Sequence, residues 1–166
     1  MRTNIGIPQE NTAKVAERLS VLLADEYVLY TKTLRAHWNQ EGLDFHSKHL
    51  FFEESYNKIK EQVDSIAERL RKIGHYAPAT LEKFLELTHL SEEYEGDNSS
   101  DGYMKVLLSD HSSIIIYIRG IISMIEEYGD VGTADFLTNL LQEHEKIAWV
   151  LRASVAKPIE KTPVLQ

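Results

Sequence analysis

The sequence contains no cysteine. That excludes disulfides and thiolate metal sites, and leaves imidazole and carboxylate as the strong metal ligands. Glycine and proline are scarce, eight and four in 166 residues, which favours long helices over many tight turns. No apolar run reads as a membrane span: the richest stretch, Val106 to Ile125, is broken by Asp110, His111 and Arg119. Met1 to Thr12 carries no apolar signal-peptide core, so the expected location is the cytoplasm, with no membrane partner. Positive charge is also short. Eighteen Lys and Arg against 26 Asp and Glu give a net charge of −8, which disfavours strong nucleic-acid binding by the body of the protein. The termini add little, since Glu10 offsets Arg2, and Glu160 lies between Lys157 and Lys161. Avidity in an oligomer would amplify even such weak tails, but DNA stays a disfavoured partner.

What remains is ordinary in bulk. Apolar residues at 43% and charged residues at 27% suit a globular chain, and 1–166 is expected to form one domain with short termini. Periodicity points to an all-α chain. Val15, Leu19, Leu22 and Leu29 repeat along Ala13 to His37, with Asn11 or Thr12 as an expected cap. A second helix is expected from Phe45 to Ile73, closed by Gly74. After a proline loop, Thr80 is placed to cap a short helix, Leu81 to Thr88. Ser91 to Asp101 reads as an exposed acidic loop. Tyr103 to Tyr128 is apolar over so much of its surface that burial from more than one side is expected, as in an oligomer. A last helix is expected from about Ala134 to Ala156, with Thr133 as its cap. Four long helices with a short one in the long crossover between the second and third make a four-helix bundle.

Chemistry concentrates between Ala36 and Gly74, which holds His37, His46, His49, Glu53, Asp64 and Glu68. At about 100° per residue, His49, Glu53, Asp64 and Glu68 fall along one stripe of the second helix. Yet His49 and Asp64 lie roughly 22 Å apart along its axis, while metal–ligand bonds to N or O are about 2.0–2.2 Å. One ion cannot touch both ends. An antiparallel second copy would bring His49 of one chain beside Asp64 and Glu68 of the other, as a two-fold dimer allows. A plain solvated face, with Glu68 paired to Arg71 or Lys72, fits the same spacing.

The segment resembles the signature of the Dps family, the mini-ferritins of bacteria and archaea. The resemblance is carried by His37-Trp38-Asn39, Gly42 to Phe45, His49, Phe52-Glu53-Glu54, Tyr56, Asp64, Ala67-Glu68-Arg69 and Gly74. It extends through the short crossover helix and the closing His144-Glu145-Lys146 and Trp149 to Arg152. It implies a ferritin-like fold and a homododecameric shell. The implied activity is a ferroxidase that oxidises Fe(II) with hydrogen peroxide, stores ferric mineral and so protects against oxidative stress. His37 and His49 would then be ligands from one subunit, Asp64 and Glu68 those of its two-fold mate. Glu53 would sit beside a second, weaker iron position, and Trp38 where the family has an aromatic next to the site. Zinc is a substitute for iron in the same ligands. Glu126 and Asp135, with Asp130 nearby, match acidic positions at the family's three-fold pores, although Asp135 would also suit a helix first turn. The alternative the family offers is a DNA-binding, nucleoid-protecting protein with little turnover.

The other polar residues are expected to be bland. His46 and His144 read as surface histidines, the latter because Glu145 and Lys146 flank it. Glu26 is a rival ligand, since larger ferritins use a first-helix glutamate, but reads better as an exposed carboxylate or an interhelix hydrogen bond. Asp110, His111 and Arg119 are expected to pair internally.

Overall fold

Each long helix carries an apolar residue every three or four positions, and a single chain buries those stripes by folding them against one another. In the computed structural model, which describes residues 3–156, the elements are α1 (Gln9–Asn39), α2 (Phe45–Lys72), α3 (Leu81–Leu87), α4 (Ser100–Glu127) and α5 (Val131–Val155). α1 packs along α2, α4 along α5, and α1 against α4 and α3. The α1–α2 pair is antiparallel, with His37 against His49 and Tyr30 against Tyr56. The core runs from Val15, Leu19 and Leu22 through Phe52, Ile59 and Ile66 to Ile114, Ile118, Leu137 and Leu151. This is the expected all-α four-helix bundle with a short crossover helix.

The helix ends follow local chemistry. α2 closes as anticipated: Gly74 has φ +95°, its N–H bonds to Arg71 O at 3.0 Å, and His75 N–H bonds to Leu70 O at 3.0 Å. That pair of bonds satisfies carbonyls the helix leaves over and needs a left-handed residue at its corner. Thr80 caps α3 through Lys83 N–H. Three starts differ from expectation. α1 begins at Gln9, just after Pro8, so Asn11 and Thr12 lie inside it, and Asn11 bonds instead to Tyr128 O at 3.2 Å. α4 begins at Ser100 because Ser99 Oγ accepts from Gly102 N–H at 3.1 Å, taking three residues from the expected loop and its border. α5 begins at Val131 because Asp130, not Thr133, is its cap.

Buried polar pairs lock the crossover. Asp25 is buried, and its carboxylate accepts from the Thr88 hydroxyl at 2.7 Å and from His89 N–H at 2.6 Å. Lys32 sits 2.6 Å from Asp110 and donates to Ser91 O at 2.8 Å. Burial raises the Asp110 carboxyl above its ordinary range, against the pull of Lys32. Surface exposure is corrected for both Glu26 and His144, while the interhelix alternative for Glu26 matches its contact across to α5. Glu26 and His144 are both fully buried, with His144 Nε2 2.6 Å from Glu26 Oε1. His111 pairs internally as expected, its Nδ1 2.9 Å from His144 Nδ1. Burial and then the neighbouring His144 hold the His111 imidazole well below its ordinary range, so it is neutral.

α4 is long and apolar enough, by length and composition alone, to cross a bilayer. Within the chain its Leu107, Ile114, Ile118, Ile121 and Ile125 stripe is buried in the bundle. Its other face is not: Ile116 is exposed, as are Trp149 on α5 and Trp38 on α1.

Candidate metal centre

His37 lies in the last turn of α1 and His49 in the second turn of α2, so the reversal at Gln40 to Asp44 brings them together. Gly42 makes that reversal with φ +135°, and Glu41 N–H pins it to Asn98 O at 2.8 Å. The two rings stack with centroids 3.8 Å apart and planes 19° off parallel. Each Nδ1 lies 3.0 Å from the other residue's backbone carbonyl. A carbonyl can only accept, so each Nδ1 carries a proton, and the neutral form of each ring has its lone pair on Nε2. This is the tautomer a metal-binding histidine needs, fixed by a reciprocal backbone bond. Tyr56 meets His37 edge-on at 5.2 Å, and Phe45 stacks on His49 at 5.1 Å. Trp38, by contrast, is exposed and pointed away from the bundle. The rings flanking the histidines within one chain are therefore Tyr56 and Phe45.

The carboxylates fall elsewhere. Glu53, one turn beyond His49, is half-buried and takes no ion pair among the described residues. Asp64 is exposed and lines an open, mostly apolar cleft of about 820 Å³ with Leu23, Tyr27, Ala67 and Phe84. Glu68 is exposed and pairs with Lys72 at 2.9 Å, the i,i+4 partner expected on a solvated helix face. Among the described residues, no three His, Asp or Glu side chains come close enough to hold one metal ion. A single chain thus shows an imidazole pair near one end of α2 and an accessible carboxylate pair roughly 22 Å along it.

Comparison with known proteins places this arrangement. A ferritin-like domain model matches residues 16–158. An uncharacterized low temperature-induced protein of Nostoc is 42% identical over 161 residues, 96% of this chain and 90% of that protein. DNA protection during starvation protein 2 of Bacillus anthracis is 32% identical over 140 residues, 84% of this chain and 95% of that protein. The crystal structure of the Dps protein of Vibrio cholerae O1, described as a ferritin-like diiron-carboxylate protein, superposes with a TM-score of 0.88. It is 29% identical and covers 94% of this chain and 98% of that one. The chain belongs to the Dps family.

In this Dps chain the three acidic residues matched to pore positions are not alike. Glu126 and Asp135 are exposed. Asp130 is buried and spent: its carboxylate caps Thr133 N–H at 2.9 Å and takes Arg69 Nη2 at 2.8 Å. A carboxylate tied to a guanidinium and a helix end has little left for a passing cation, so Asp130 is withdrawn from that set. Because Asp130 is the cap, Asp135 lies in the second turn of α5, and the capping explanation for its charge lapses. His46 is exposed, as expected. The tail residues Arg2, Lys157, Glu160 and Lys161, on which any DNA contact would rest, lie outside the described residues.

Proposed function

We propose that this Dps chain is a ferroxidase and iron store whose substrate, Fe(II), is held between two subunits. His37 and His49 supply Nε2 lone pairs from one chain, and Asp64 and Glu68 supply carboxylates from its two-fold mate. Glu53 assists a second, weaker iron position. The observation that carries this reading is the reciprocal Nδ1–carbonyl bonding of His37 and His49, which leaves two neighbouring Nε2 donors without a third His, Asp or Glu ligand among the described residues. Imidazole with carboxylate suits ferrous iron, and zinc competes for the same donors. Hydrogen peroxide accepts two electrons, one from each of two Fe(II), and with two protons leaves two waters, so no hydroxyl radical is released. Fe(III), the harder ion, then prefers oxygen ligands and moves to carboxylates inside a dodecameric shell. The exposed apolar residues Ile116, Trp149 and Trp38 are the kind of surface such a shell would cover. Glu126 and Asp135 would line an acidic entry that concentrates cations.

The test is stopped-flow mixing of anaerobic, iron-loaded protein with hydrogen peroxide, alongside light scattering for particle mass. Rapid oxidation by a twelve-subunit particle is expected. A monomer, or oxidation no faster than free Fe(II), contradicts the proposal. A second reading has one observation in its favour, similarity to a relative named DNA protection during starvation protein 2. A gel shift at low and high salt separates it, since phosphate contacts weaken steeply with salt. With a net charge of −8, no shift is expected at physiological salt.

A further inference from the structure

Each long helix carries a buried polar residue near the middle of its core stripe. On α1 the stripe Val15, Leu19, Leu22, Leu29 takes in Glu26, and on α2 Ile59, Ile66, Leu70 takes in Gln62. On α4 Leu107, Ile114, Ile118 takes in His111, and on α5 Leu137, Leu141, Ala148, Leu151 takes in His144. The four interruptions share one level of the bundle. Glu26 touches His144, and His144 touches His111. The antiparallel register of Tyr30 on Tyr56 and His37 on His49 sets Gln62 within a turn of Glu26.

These groups satisfy one another only in part, through the ion-pair contact of His144 with Glu26. Both Glu26 carboxylate oxygens, both Gln62 amide atoms and His144 Nε2 are buried without a hydrogen bond. His144 Nε2 and Glu26 Oε1 are 2.6 Å apart but off the line a hydrogen bond requires. Each such buried orphan is costly, and a cluster of them points to an occupant. A water has two protons to give. With the proton of the His111–His144 contact on His144 Nδ1, the Glu26 oxygens and His144 Nε2 face one another and Gln62 Oε1 lies at the same level of the bundle, which is more acceptors than one water can serve. A cation meets these acceptors and leaves Gln62 Nε2, a donor, to another partner.

We propose that Glu26, Gln62 and His144 form a divalent transition-metal site in the middle of the bundle, with His111 positioning His144. Imidazole, carboxylate and amide oxygen together suit Zn²⁺, Co²⁺ or Fe²⁺. An ion about 2.1 Å from both Oε1 and Nε2 would see them at about 75°, and opening their separation by a few tenths of an ångström brings that near a right angle. His111 accepts the Nδ1–H of His144 and fixes its tautomer, the usual outer partner of a metal-bound histidine. The cleft of about 300 Å³ between α2 and α5, lined by Gln62, Leu140 and Glu143, offers a way in. This donor set differs from the paired Glu-x-x-His motifs of di-iron bundles, and the site is independent of the one shared between subunits.

The probe is Co²⁺, added to chelator-stripped oligomer in which His37→Ala and Asp64→Ala have removed the shared site. About one Co²⁺ per subunit with visible absorption bands is expected, and adding Glu26→Gln should abolish both. His111→Leu should weaken binding by about 10–100-fold, and His111→Asn, which keeps an acceptor, should restore it. Binding that survives Glu26→Gln, or none before it, overturns the site. Should Glu26→Gln fail to fold by circular dichroism and particle mass, anomalous diffraction from Co²⁺-soaked wild-type crystals decides. A cobalt peak between Glu26 and His144 supports the site, and a peak with no anomalous signal there is water and refutes it.

Discussion

Two histidine pairs in this chain use the same side chain to opposite ends. His37 and His49 sit at the open end of the α1–α2 hairpin, with each Nδ1 held by the other's backbone. Among the described residues no third His, Asp or Glu joins them to form a metal-holding group. His111 and His144 sit in the closed middle, nitrogen to nitrogen, beside a fully buried carboxylate. In the proposed site a second molecule completes the first pair, whereas the second is enclosed by its own four helices. Backbone locking makes a ligand ready without burying it. Burial makes polar groups costly unless something satisfies them.

That contrast is open to breakage at several points. The largest expected effect is in the closed pair: in metal-free protein His144→Ala leaves the Glu26 carboxylate buried and alone, a loss of about 3–5 kcal/mol that thermal melting would register. If the melting temperature hardly moves, the cluster is not the tightly enclosed one described. The open pair should behave the other way round. His49→Ala and Asp64→Ala are each expected to slow peroxide-driven Fe(II) oxidation by more than about tenfold, because loss of an outer partner alone costs that much. Particle mass should be unchanged. Native rates in both variants would remove these residues from the site. Gly74→Ala should cost about 1 kcal/mol or more, since an added Cβ meets left-handed backbone and crowds Thr3 Oγ1, and chemical denaturation would measure it. The smallest effect belongs to Glu68→Gln. Breaking its exposed pair with Lys72 should change stability by less than about 0.5 kcal/mol, while Fe(II) binding measured by calorimetry still weakens.

The open pair could be read from sequence because its pattern is local. Histidines twelve residues apart across one tight reversal, followed by carboxylates on the same helix stripe, need no knowledge of the other helices. The fold was legible for a related reason, in that scarce glycine and proline left the apolar period uninterrupted. The closed pair was obscured by reading neighbours in sequence as neighbours in space. Glu145 and Lys146 follow His144, yet at about 100° per residue they turn away from its face. The signal that would have found it was the stripe itself, Leu137, Leu141, His144, Ala148 and Leu151. Glu26 was hidden in the same way within the stripe of α1. Helix starts were misplaced where a cap lay outside the periodic region, as with Ser99 before α4 and Asp130 before α5.

The most direct measurement co-expresses His49→Ala and Asp64→Ala subunits in equal amounts and follows Fe(II) oxidation by the mixed shells. In a mixed two-fold pair, one interface joins the intact histidine of one subunit to the intact carboxylates of the other. With random assembly, a site shared between subunits recovers about a quarter of the native rate, although neither variant alone is active. Mixed shells as slow as both parents would mean that each chain holds its iron by itself.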